Sequence, residues 1–408
     1  MFDFSELAAA WESSLPMFGE SLAAWVDGLA INSVIVMIMM LFMLWGAIDK
    51  IMGNKFGYGE QFEEGLNCMG PLAVSMAGVV AVAPLLALVL NPIVGPIYNL
   101  VGADAAMFAT TLLACDMGGY PLAMQMAANE AVGNYAGMIL GSMMGPTIVF
   151  TIPVALGIID PEDRPYLGAG TLVGLVTIPV GCIAGGFVMN TTQYKLSVAE
   201  ILLNMIPVVI IAGAIAAGLW FAPAAMMKGF DKFGTGVTIF ITAVTAIAIF
   251  EYNTGIIFPL FNLMMDDGTG ANGLEAGLLT CGIIAIVLAG AYPMVKFVTD
   301  KFGGALEKVG SALGMNAAGS AGLVATLANN IAMFNILKDM NPKGKLLNCA
   351  FAVSAAFVFG DHLGFCAGNN SEMITPMIVG KLVAGILAVV LGNFMAPALL
   401  AKIPGSDK

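Results

Sequence analysis

The sequence predicts an all-α polytopic membrane protein with about nine spanning helices, two re-entrant hairpins and an inverted internal repeat. Three observations indicate this fold: long apolar windows, an uneven distribution of Lys and Arg, and a similarity between the two halves of the chain. A hydrophobic share of 59%, a mean hydropathy of +0.92 and 10% charged residues over 408 positions are typical of membrane helices joined by short loops. The composition leaves no room for a separate soluble domain.

Apolar windows that can span a bilayer core of roughly 30 Å recur along the chain, since one helical crossing takes about 20 residues. They lie near residues 31–48, 66–90, 134–158, 166–190, 200–222, 236–262, 276–299, 346–367 and 373–400. We therefore expect about nine spanning helices.

The distribution of basic residues orients these windows. Residues 1–30 and the links 91–104, 128–133, 263–275 and 368–372 contain no Lys or Arg, so we place them outside. Thirteen of the fifteen basic residues then lie inside: Lys50, Lys55, Arg164, Lys228, Lys232, Lys296, Lys301, Lys308, Lys338, Lys343, Lys345, Lys402 and Lys408. The N-terminus is expected outside and the C-terminus in the cytoplasm.

This orientation requires that two further apolar segments, 105–127 and 317–337, enter the membrane and return to the same side. If both segments crossed fully, the loop charges would split six against eight, which carries no orientation signal. The much clearer charge asymmetry of the first topology favours two re-entrant hairpins, 105–127 and 317–337.

A repeat supports the same topology. A shift of 212 residues matches Glu63, Gly65, Leu66, Gly70, Ala73, Ala77 and Gly78 to Glu275, Gly277, Leu278, Gly282, Ala285, Ala289 and Gly290. If the two hairpins do not cross the membrane, five membrane crossings separate each helix of the first copy from its equivalent in the second. Because five is an odd number, the second copy has the inverted orientation in the membrane. Inverted repeats with broken helices are a recurring design of secondary transporters. We expect a first repeat at 31–199, a connecting helix and loop at 200–235, and a second repeat at 236–402.

The first 30 residues are expected to form a surface segment outside the repeats. Trp11, Phe18 and Trp25 stand seven residues apart among acidic neighbours, a spacing that could lay one aromatic face of an amphipathic helix in the lipid headgroups. A loosely ordered tail is the alternative.

Polar chemistry concentrates at the two predicted hairpin tips. In the first, Asp116 precedes Gly118, Gly119 and Pro121, which we interpret as the hinges that interrupt the helix. A carboxylate at membrane depth usually marks a substrate or ion path, although Asp116 could instead cap the second arm. In the second tip, Asn329 and Asn330 hold the corresponding place and are candidate ligands or local backbone partners.

A second polar group lies inside the window 346–367. The repeat matches Gly360-Asp361-His362 to Gly145-Pro146-Thr147. The Gly-Asp pair of the first and the Gly-Pro pair of the second are expected to loosen their helices. His362 is the only histidine, so it is either a satisfied core residue or a proton carrier, and its spacing to Cys366 is a weak zinc signal. We predict no metal and no cofactor, and leave open a coupling to Na⁺ or H⁺.

Two more charges fall at membrane depth. We predict that Lys381 neutralises Asp361 in a structural ion pair, and that Glu251 lines the path or reaches an aqueous vestibule. With Asp116 included, the intramembrane charge is negative and suits a monocation. The net charge of −12 leaves no basic stripe, which excludes nucleic-acid binding.

Several motifs also resemble the EutH-type ethanolamine permeases, over residues 31 to about 400. They are Gln61-Phe-Glu-Glu-Gly65, Thr111-Leu-Leu-Ala-Cys-Asp-Met-Gly-Gly119, Leu140-Gly-Ser-Met-Met-Gly-Pro-Thr-Ile-Val-Phe150, Ala325-Thr-Leu-Ala-Asn-Asn330, Phe359-Gly-Asp-His-Leu-Gly364 and Met377-Ile-Val-Gly-Lys-Leu382. The resemblance implies a bacterial inner-membrane protein that brings ethanolamine into the cell for degradation. It does not identify binding residues, and residues 1–30 do not match.

The residues and the resemblance agree on a carrier of a small cation in the lipid bilayer. Asp116 would bind the ammonium, with Tyr120 offering an aromatic face. Asn329, Asn330 and Thr147 would contact the hydroxyl, while Asp361 would add a counter-charge or bind a coupling ion, with His362 beside it.

Two other functions stay open at this point. The first is a channel-like facilitator for small neutral amines, in which Asp116 is purely structural. The second is a membrane enzyme that uses His362 and Asp361, which lacks a nucleophile or metal constellation and is disfavoured. Whether the chain forms a homo-oligomer is also left open.

Overall fold

The protein is helical over most of residues 5–266 and 272–403, the part of the chain that the computed structural model describes, and contains no strand there. The principal helices are α1 Ser5–Asp27, α2 Ile31–Ile51, α3 Tyr58–Asn99, α4 Ala106–Leu112, α5 Gly119–Met126, α6 Glu130–Ile158, α7 Arg164–Met189, α8 Val198–Phe221, α9 Pro223–Thr254, α10 Gly273–Ala312, α11 Ala317–Ala328, α12 Asn330–Asn335, α13 Pro342–Ala355, α14 Asp361–Asn369 and α15 Ile374–Leu400. A single turn, Asn262–Met265, lies between α9 and α10.

Eight of these described helices are long and apolar enough to cross a membrane: α2, α3, α6, α7, α8, α9, α10 and α15. The multi-pass membrane architecture predicted from the sequence is therefore confirmed. The predicted number of nine spans is too high, because the window 346–367 is not one continuous helix.

That window is divided between α13, which ends at Ala355, and α14, which begins at Asp361. Between them Phe357 has a φ of 64°, a left-handed conformation that residues with a β-carbon rarely adopt. The helix is interrupted at this point, and the left-handed conformation gives the Phe357 ring a direction that a helical residue could not give it.

The second hairpin holds this break in place. The backbone N–H of Phe357 donates to Thr326 O (3.2 Å) and that of Phe359 donates to Leu327 O (3.0 Å). Backbone groups released by a broken helix must be satisfied by protein when no water is present. The carbonyls at the end of α11 meet this requirement.

In the first hairpin, formed by α4 and α5, one side chain binds both ends of the segment. The Asp104 carboxylate accepts the backbone N–H of Ala106 (2.8 Å) and, at the other end of the segment, that of Ala128 (3.1 Å). Asp104 is itself anchored by its own N–H to Asn204 Oδ1 on α8 (2.7 Å). The segment between residues 104 and 128 therefore reverses direction.

The second hairpin, α11 and α12, is joined in the same way. Asn316, which stands 212 residues after Asp104, accepts the N–H of Gly319 (3.0 Å) and donates its amide to Asp339 O (2.8 Å). Asn341 then donates to Gly314 O (2.9 Å). The two hairpins thus begin with equivalent polar residues that tie their two ends together.

The reversal of the first hairpin occurs earlier than the predicted hinges suggest. Leu113 and Ala114 are extended, and Gly118 adopts a left-handed φ of 85° before α5 begins at Gly119. Pro121 lies in the first turn of α5, where a missing N–H costs no helical hydrogen bond, and is not a hinge.

The connection between the halves also differs from the prediction. Residues 223–235, expected to be a loop, belong to α9, which begins at Pro223 and continues to Thr254. Ala222 alone separates α9 from α8. Pro at the first helical position favours this start, because its fixed φ already suits a helix.

The two halves pack against each other through reciprocal contacts. A Cβ added at Gly65 would lie 2.6 Å from Ala289 Cα, and one added at Gly277 would lie 2.8 Å from Ala77 Cα. Gly277 and Ala289 are the residues that follow Gly65 and Ala77 by 212 positions. Each half therefore presents its glycine to the alanine of the other, which is the contact pattern of a two-fold relation.

The interior of the bundle is formed by α7, α13 and α15. Leu175, Ala350 and Ala388 are fully buried among them, and the small side chains of α7 allow the helices to approach closely. Outside this bundle, α1 confirms the predicted N-terminal helix over residues 5–27, with Trp11 and Phe18 about two-thirds exposed. Its placement in lipid headgroups stays a prediction.

The hairpin geometry makes a labelling prediction. In a background without native cysteines, Asn99→Cys and Ala128→Cys should react with an impermeant thiol reagent from the same face of the membrane, because Asp104 holds the end of the hairpin beside its beginning. Both positions are exposed, as is Glu162 at the other end of α6. Glu162→Cys should react from the opposite face, and labelling of Asn99→Cys and Ala128→Cys from different faces would exclude a re-entrant first hairpin.

Candidate functional site

A cavity of about 300 Å³ lies where the two hairpin tips meet the broken helix. Its walls come from the π-helical turn of α3, the first tip, the middle of α6, the second tip and the start of α14. The lining residues are Cys68, Pro71, Leu72, Ser75, Ala114, Asp116, Met117, Pro146, Phe150, Leu288, Asn329, Ile331, Phe357, Asp361 and His362. The structure thus brings four predicted site residues, Asp116, Asn329, Asp361 and His362, to one cavity.

Asp116 lies in a short 3₁₀ turn, Cys115–Met117, between the extended residues of the first tip and α5. In the alternative role considered from the sequence, Asp116 would cap the amides around Gly118 and Gly119, but the Gly119 N–H donates to Ala114 O (2.9 Å). The Cys115 thiol lies 4.0 Å from Asp116 Oδ1, which makes only a weak hydrogen bond. Asp116 therefore faces the cavity with acceptor capacity to spare.

Asp361 begins α14 and has a partner that the sequence analysis did not identify. The Tyr292 hydroxyl of α10 donates to Asp361 Oδ1 over 2.5 Å, and Cys68 Sγ lies 3.3 Å from the same hydroxyl. A short O–H···O⁻ bond is among the strong charge-assisted types. The second carboxylate of the cavity is thus held in one orientation by α10.

The predicted ion pair between Lys381 and Asp361 is wrong. The buried Lys381 ammonium donates to Ser142 O and lies 3.0 Å from His362 Nδ1. Among the described residues, no carboxylate lies within ion-pair distance of it. The side chains of α14 explain the difference, since His362 faces α15 while its neighbour Asp361 faces α10.

His362 connects this lysine to the cavity. A protonated Lys381 has only donors, so Nδ1 of His362 accepts and the ring proton lies on Nε2. The ring also packs against Phe357, with 5.3 Å between centroids. His362 is thus a buried residue with a hydrogen-bond partner, as the core role considered from the sequence requires, and its role as a proton carrier stays a prediction.

Cys115, Asp116 and His362 offer ligand atoms within 4.8 Å of one another. These donor types can bind zinc, but a structural zinc site has four protein ligands and a catalytic one has three that are free to coordinate. Here Lys381 occupies Nδ1 of the imidazole and would place a positive charge beside the metal. We therefore assign no metal to this group.

Two predicted ligands lie behind the cavity wall and are already engaged. The buried Thr147 hydroxyl lies within hydrogen-bond distance of Met143 O (2.8 Å) and Val353 O (2.9 Å), which joins α6 to α13. The buried Asn330 amide donates to Thr151 Oγ1 (2.9 Å). Both side chains position the walls and do not line the cavity.

Two other predicted site residues lie farther away. Tyr120 is one helical turn beyond Asp116 and packs edge-on against Phe365, with 5.7 Å between ring centroids. Glu251 is buried at the end of α9, where its Oε1 accepts the N–H of Phe258 (2.7 Å) and closes the following turn. Glu251 therefore has a structural role in the described part of the chain.

The aromatic residues of the cavity were not predicted. Phe150 and Phe357 meet edge to face, 5.7 Å apart, and both line the cavity. Their apolar residue type gave no signal in a chain rich in Phe. Tyr292 could have been noticed, because a tyrosine directly before Pro293 within an apolar helix has a hydroxyl that requires a partner.

The Tyr292–Asp361 bond makes a stability prediction. Tyr292→Phe removes a donor to a carboxylate and should lower the free energy of unfolding by about 1.5–3 kcal/mol, seen as a lower melting temperature in detergent. Tyr135→Phe is the matched control, because the buried Tyr135 hydroxyl has no hydrogen-bond partner among the described residues. An equal effect of the two substitutions would contradict a special role for the Tyr292 hydroxyl.

Comparison with known proteins gives a consistent result. Residues 31–395 match the family model described as "Ethanolamine utilisation protein, EutH". The chain is 52% identical over 375 residues to a protein of Listeria monocytogenes named "Probable ethanolamine permease EutH", covering 92% of this chain and 96% of that protein. It is 48% identical over 393 residues to the Escherichia coli protein of the same name, covering 90% and 96%.

A Bacillus subtilis relative, "Uncharacterized protein YxeR", is 45% identical over 375 residues and covers 92% of this chain and 97% of its own length. No solved structure matches the chain. The match spans both hairpins, the broken helix and every residue of the cavity, and the chain therefore belongs to the EutH family.

Proposed function

We propose that this protein is a permease that brings ethanolamine into the bacterial cell as the protonated cation. The observation that carries this proposal is the cavity, which has two carboxylates, Asp116 and Asp361, and no Lys or Arg among its lining residues. The names of the relatives from Listeria monocytogenes and Escherichia coli supply the substrate. A permease role also sets the protein apart from an enzyme.

The cavity suits such a substrate in size and charge. A volume of about 300 Å³ holds a small amino alcohol with some water. Cationic ligands favour carboxylates and aromatic faces, and Phe150 and Phe357 provide the faces. Lys381 is kept out of the cavity by its bonds to Ser142 and His362, so its ammonium does not contact a cation bound there.

The two carboxylates differ in their availability. Asp361 already accepts a short bond from the Tyr292 hydroxyl, whereas Asp116 has a weak thiol contact and a bond from its own backbone N–H but no bond from another polar side chain. We therefore assign the ammonium to Asp116 and a supporting charge to Asp361. Asn329 uses its Oδ1 to accept the N–H of Ile331 (2.8 Å), which leaves its Nδ2 to donate to the substrate hydroxyl.

Alternating access between two inverted repeats is the proposed transport mechanism. The reciprocal Gly65–Ala289 and Gly277–Ala77 contacts support a two-fold relation between the halves. A second pair of contacts agrees: a Cβ at Gly145 would lie 2.7 Å from Ala114 N at the first tip, and one at Gly360 would lie 3.2 Å from the Ala328 carbonyl carbon at the second. The first tip thus rests on a glycine of α6, and the second on a glycine at the break between α13 and α14.

We also propose that the protein lies in the cytoplasmic membrane of a bacterium, because its relatives come from bacteria. The positive-inside distribution of its charges supports an orientation with the N-terminus outside and the C-terminus in the cytoplasm. The first hairpin then enters from outside and the second from the cytoplasm, so that their tips approach the cavity from opposite sides.

Proton coupling is the form of energy coupling that the site favours. His362 lies between the cavity and Lys381, and both side chains are of types that can carry a proton. Asp116 belongs to the same cluster as His362, so binding of a cation at Asp116 changes the electrostatic cost of a proton on that pair. A pH gradient imposed across proteoliposomes, compared with a Na⁺ gradient, separates the two coupling ions.

Asp116→Asn tests the ammonium site. The substitution keeps the shape but removes the charge, so ethanolamine binding should weaken by about 1.5–3 kcal/mol, or about 10- to 150-fold, while the melting temperature is retained. Calorimetry on purified protein measures both quantities. Asp160→Asn, at an exposed position outside the cavity, is the control. Unchanged affinity in Asp116→Asn would refute the assigned role.

Native Cys68 provides an independent readout, because it lines the cavity beside Tyr292. Ethanolamine should slow modification of Cys68 by a small permeant thiol reagent, and Asp116→Asn should remove this protection. The other five cysteines are buried and serve as internal controls. Protection that survives Asp116→Asn would place the substrate elsewhere.

Counterflow distinguishes a carrier from a channel-like facilitator for neutral amines. Proteoliposomes preloaded with unlabelled ethanolamine should accumulate labelled ethanolamine transiently, since an alternating-access carrier exchanges one molecule for another. The uptake rate should also saturate. Linear uptake without counterflow, which increases with pH as the neutral amine becomes more abundant, would favour the facilitator.

A further inference from the structure

A second polar cleft, of about 410 Å³, lies at the end of the molecule where the first hairpin begins. It is formed by α5, the start of α6, the link between α7 and α8, and the link between α14 and α15. The lining residues are Tyr120, Met124, Glu130, Asn134, Gln193, Tyr194, Asn369, Asn370, Ser371 and Glu372. They include two carboxylates and two tyrosines but no Lys or Arg.

A hydrogen-bond network fixes the walls of this cleft. The buried Asn134 accepts at Oδ1 from Asn370 Nδ2 (3.0 Å) and from the Tyr120 hydroxyl (3.4 Å). Gln193 donates to both oxygens of the Glu372 carboxylate, from Nε2 (2.8 Å) and from its backbone N–H (3.2 Å). The cleft is thus a shaped site in which four separate segments are joined by side chains.

The other carboxylate of the cleft is available. Glu130 is exposed at the first turn of α6, and its side chain makes no hydrogen bond or ion pair within residues 5–266 and 272–403. Lys195 follows Tyr194 but does not line the cleft. The charged side chains that line the cleft are therefore negative. The rings of Tyr120 and Tyr194 also line it.

One pair of aromatic residues connects the elements of the cleft with those of the central cavity. Tyr120 lines the cleft and follows Asp116 by four residues, at the start of α5. Phe365 follows His362 by three residues, about one turn along α14. The rings of Tyr120 and Phe365 meet nearly at right angles, 5.7 Å apart. Asp116 and His362 line the cavity.

We propose that this cleft is a second, peripheral binding site for small ammonium cations, which holds the amine before it passes the Tyr120–Phe365 pair to the central cavity. The inference rests on the proposed function, because it takes its ligand class and direction from it. A carboxylate and aromatic faces in a partly enclosed cleft attract a monocation and raise its local concentration. Glu372 and Asn134 maintain the shape, while Glu130 supplies the free charge.

Uptake kinetics test the free charge. In proteoliposomes at low ionic strength, Glu130→Gln should raise the KM for ethanolamine about threefold or more with an unchanged maximal rate, and the difference should diminish at high salt, because salt screens exposed charges. The control Glu162→Gln, at the opposite end of α6, should leave the KM unchanged. An unchanged KM in Glu130→Gln overturns the proposal.

Equilibrium labelling tests occupancy of the cleft itself. Ser371→Cys, combined with Cys68→Ala, places an exposed thiol in the cleft wall of purified protein. Ethanolamine should slow its modification even when Asp116→Asn has weakened the central site, and Glu130→Gln should abolish that protection. Loss of protection with Asp116→Asn alone would show that the cleft is not a site of its own.

The outcomes for the two proposals are distinct. Wild-type protein that shows no ethanolamine uptake and no protection of Cys68 contradicts the proposed function. Wild-type protein that transports ethanolamine, but whose KM and Ser371→Cys labelling do not respond to Glu130→Gln, contradicts the peripheral site alone.

Discussion

The need to satisfy every backbone hydrogen bond inside a membrane is the constraint on which the rest of this structure depends. A cavity at membrane depth requires broken helices, and each break releases N–H and C=O groups that cost several kcal/mol if left unpaired. The second hairpin resolves this for α13 and α14, because carbonyls of Thr326 and Leu327 accept from Phe357 and Phe359. The same bonds fix Phe357 in its left-handed conformation and so place its ring in the cavity wall.

The buried charges follow the same logic. Asp361 has the Tyr292 hydroxyl, and Lys381 has the Ser142 carbonyl and the His362 imidazole. These partners are neutral, so each charge is stabilised without being cancelled by an opposite one. Asp116 is left with spare acceptors, as the proposed role of this carboxylate in cation binding requires.

The two halves meet at two matching contacts between small residues. Glycine at positions 65 and 277 lets the helices α3 and α10 approach to backbone distance at two equivalent places. Contacts between small residues bury little side-chain area, and no long side chains interdigitate across them. Such contacts suit surfaces that rearrange between conformations. The tips, in contrast, are tied at their outer ends by Asp104 and Asn316.

The sequence by itself determined the membrane class, the positions of both hairpins and four residues of the cavity. These features depend on the residues of one segment and on its position relative to the bilayer. The apolar length of a segment, the charge of its loops and its glycine-rich polar tip do not depend on which other segments it packs against. The repeat matched Gly65 to Gly277 and Ala77 to Ala289, but it did not indicate that these glycines and alanines contact each other across the halves. The interruption near Gly360 was expected, although its division into α13 and α14 was not.

Only the tertiary structure decided how the polar residues pair. Asp361 and Tyr292 are 69 residues apart, and Lys381 and Ser142 are 239 apart, so no spacing along the chain indicates either bond. Adjacent residues of one helix point in different directions, which is why Asp361 turns to α10 while His362 turns to Lys381. A charge at membrane depth predicts that a partner exists, but the rotation of each helix about its axis selects which one.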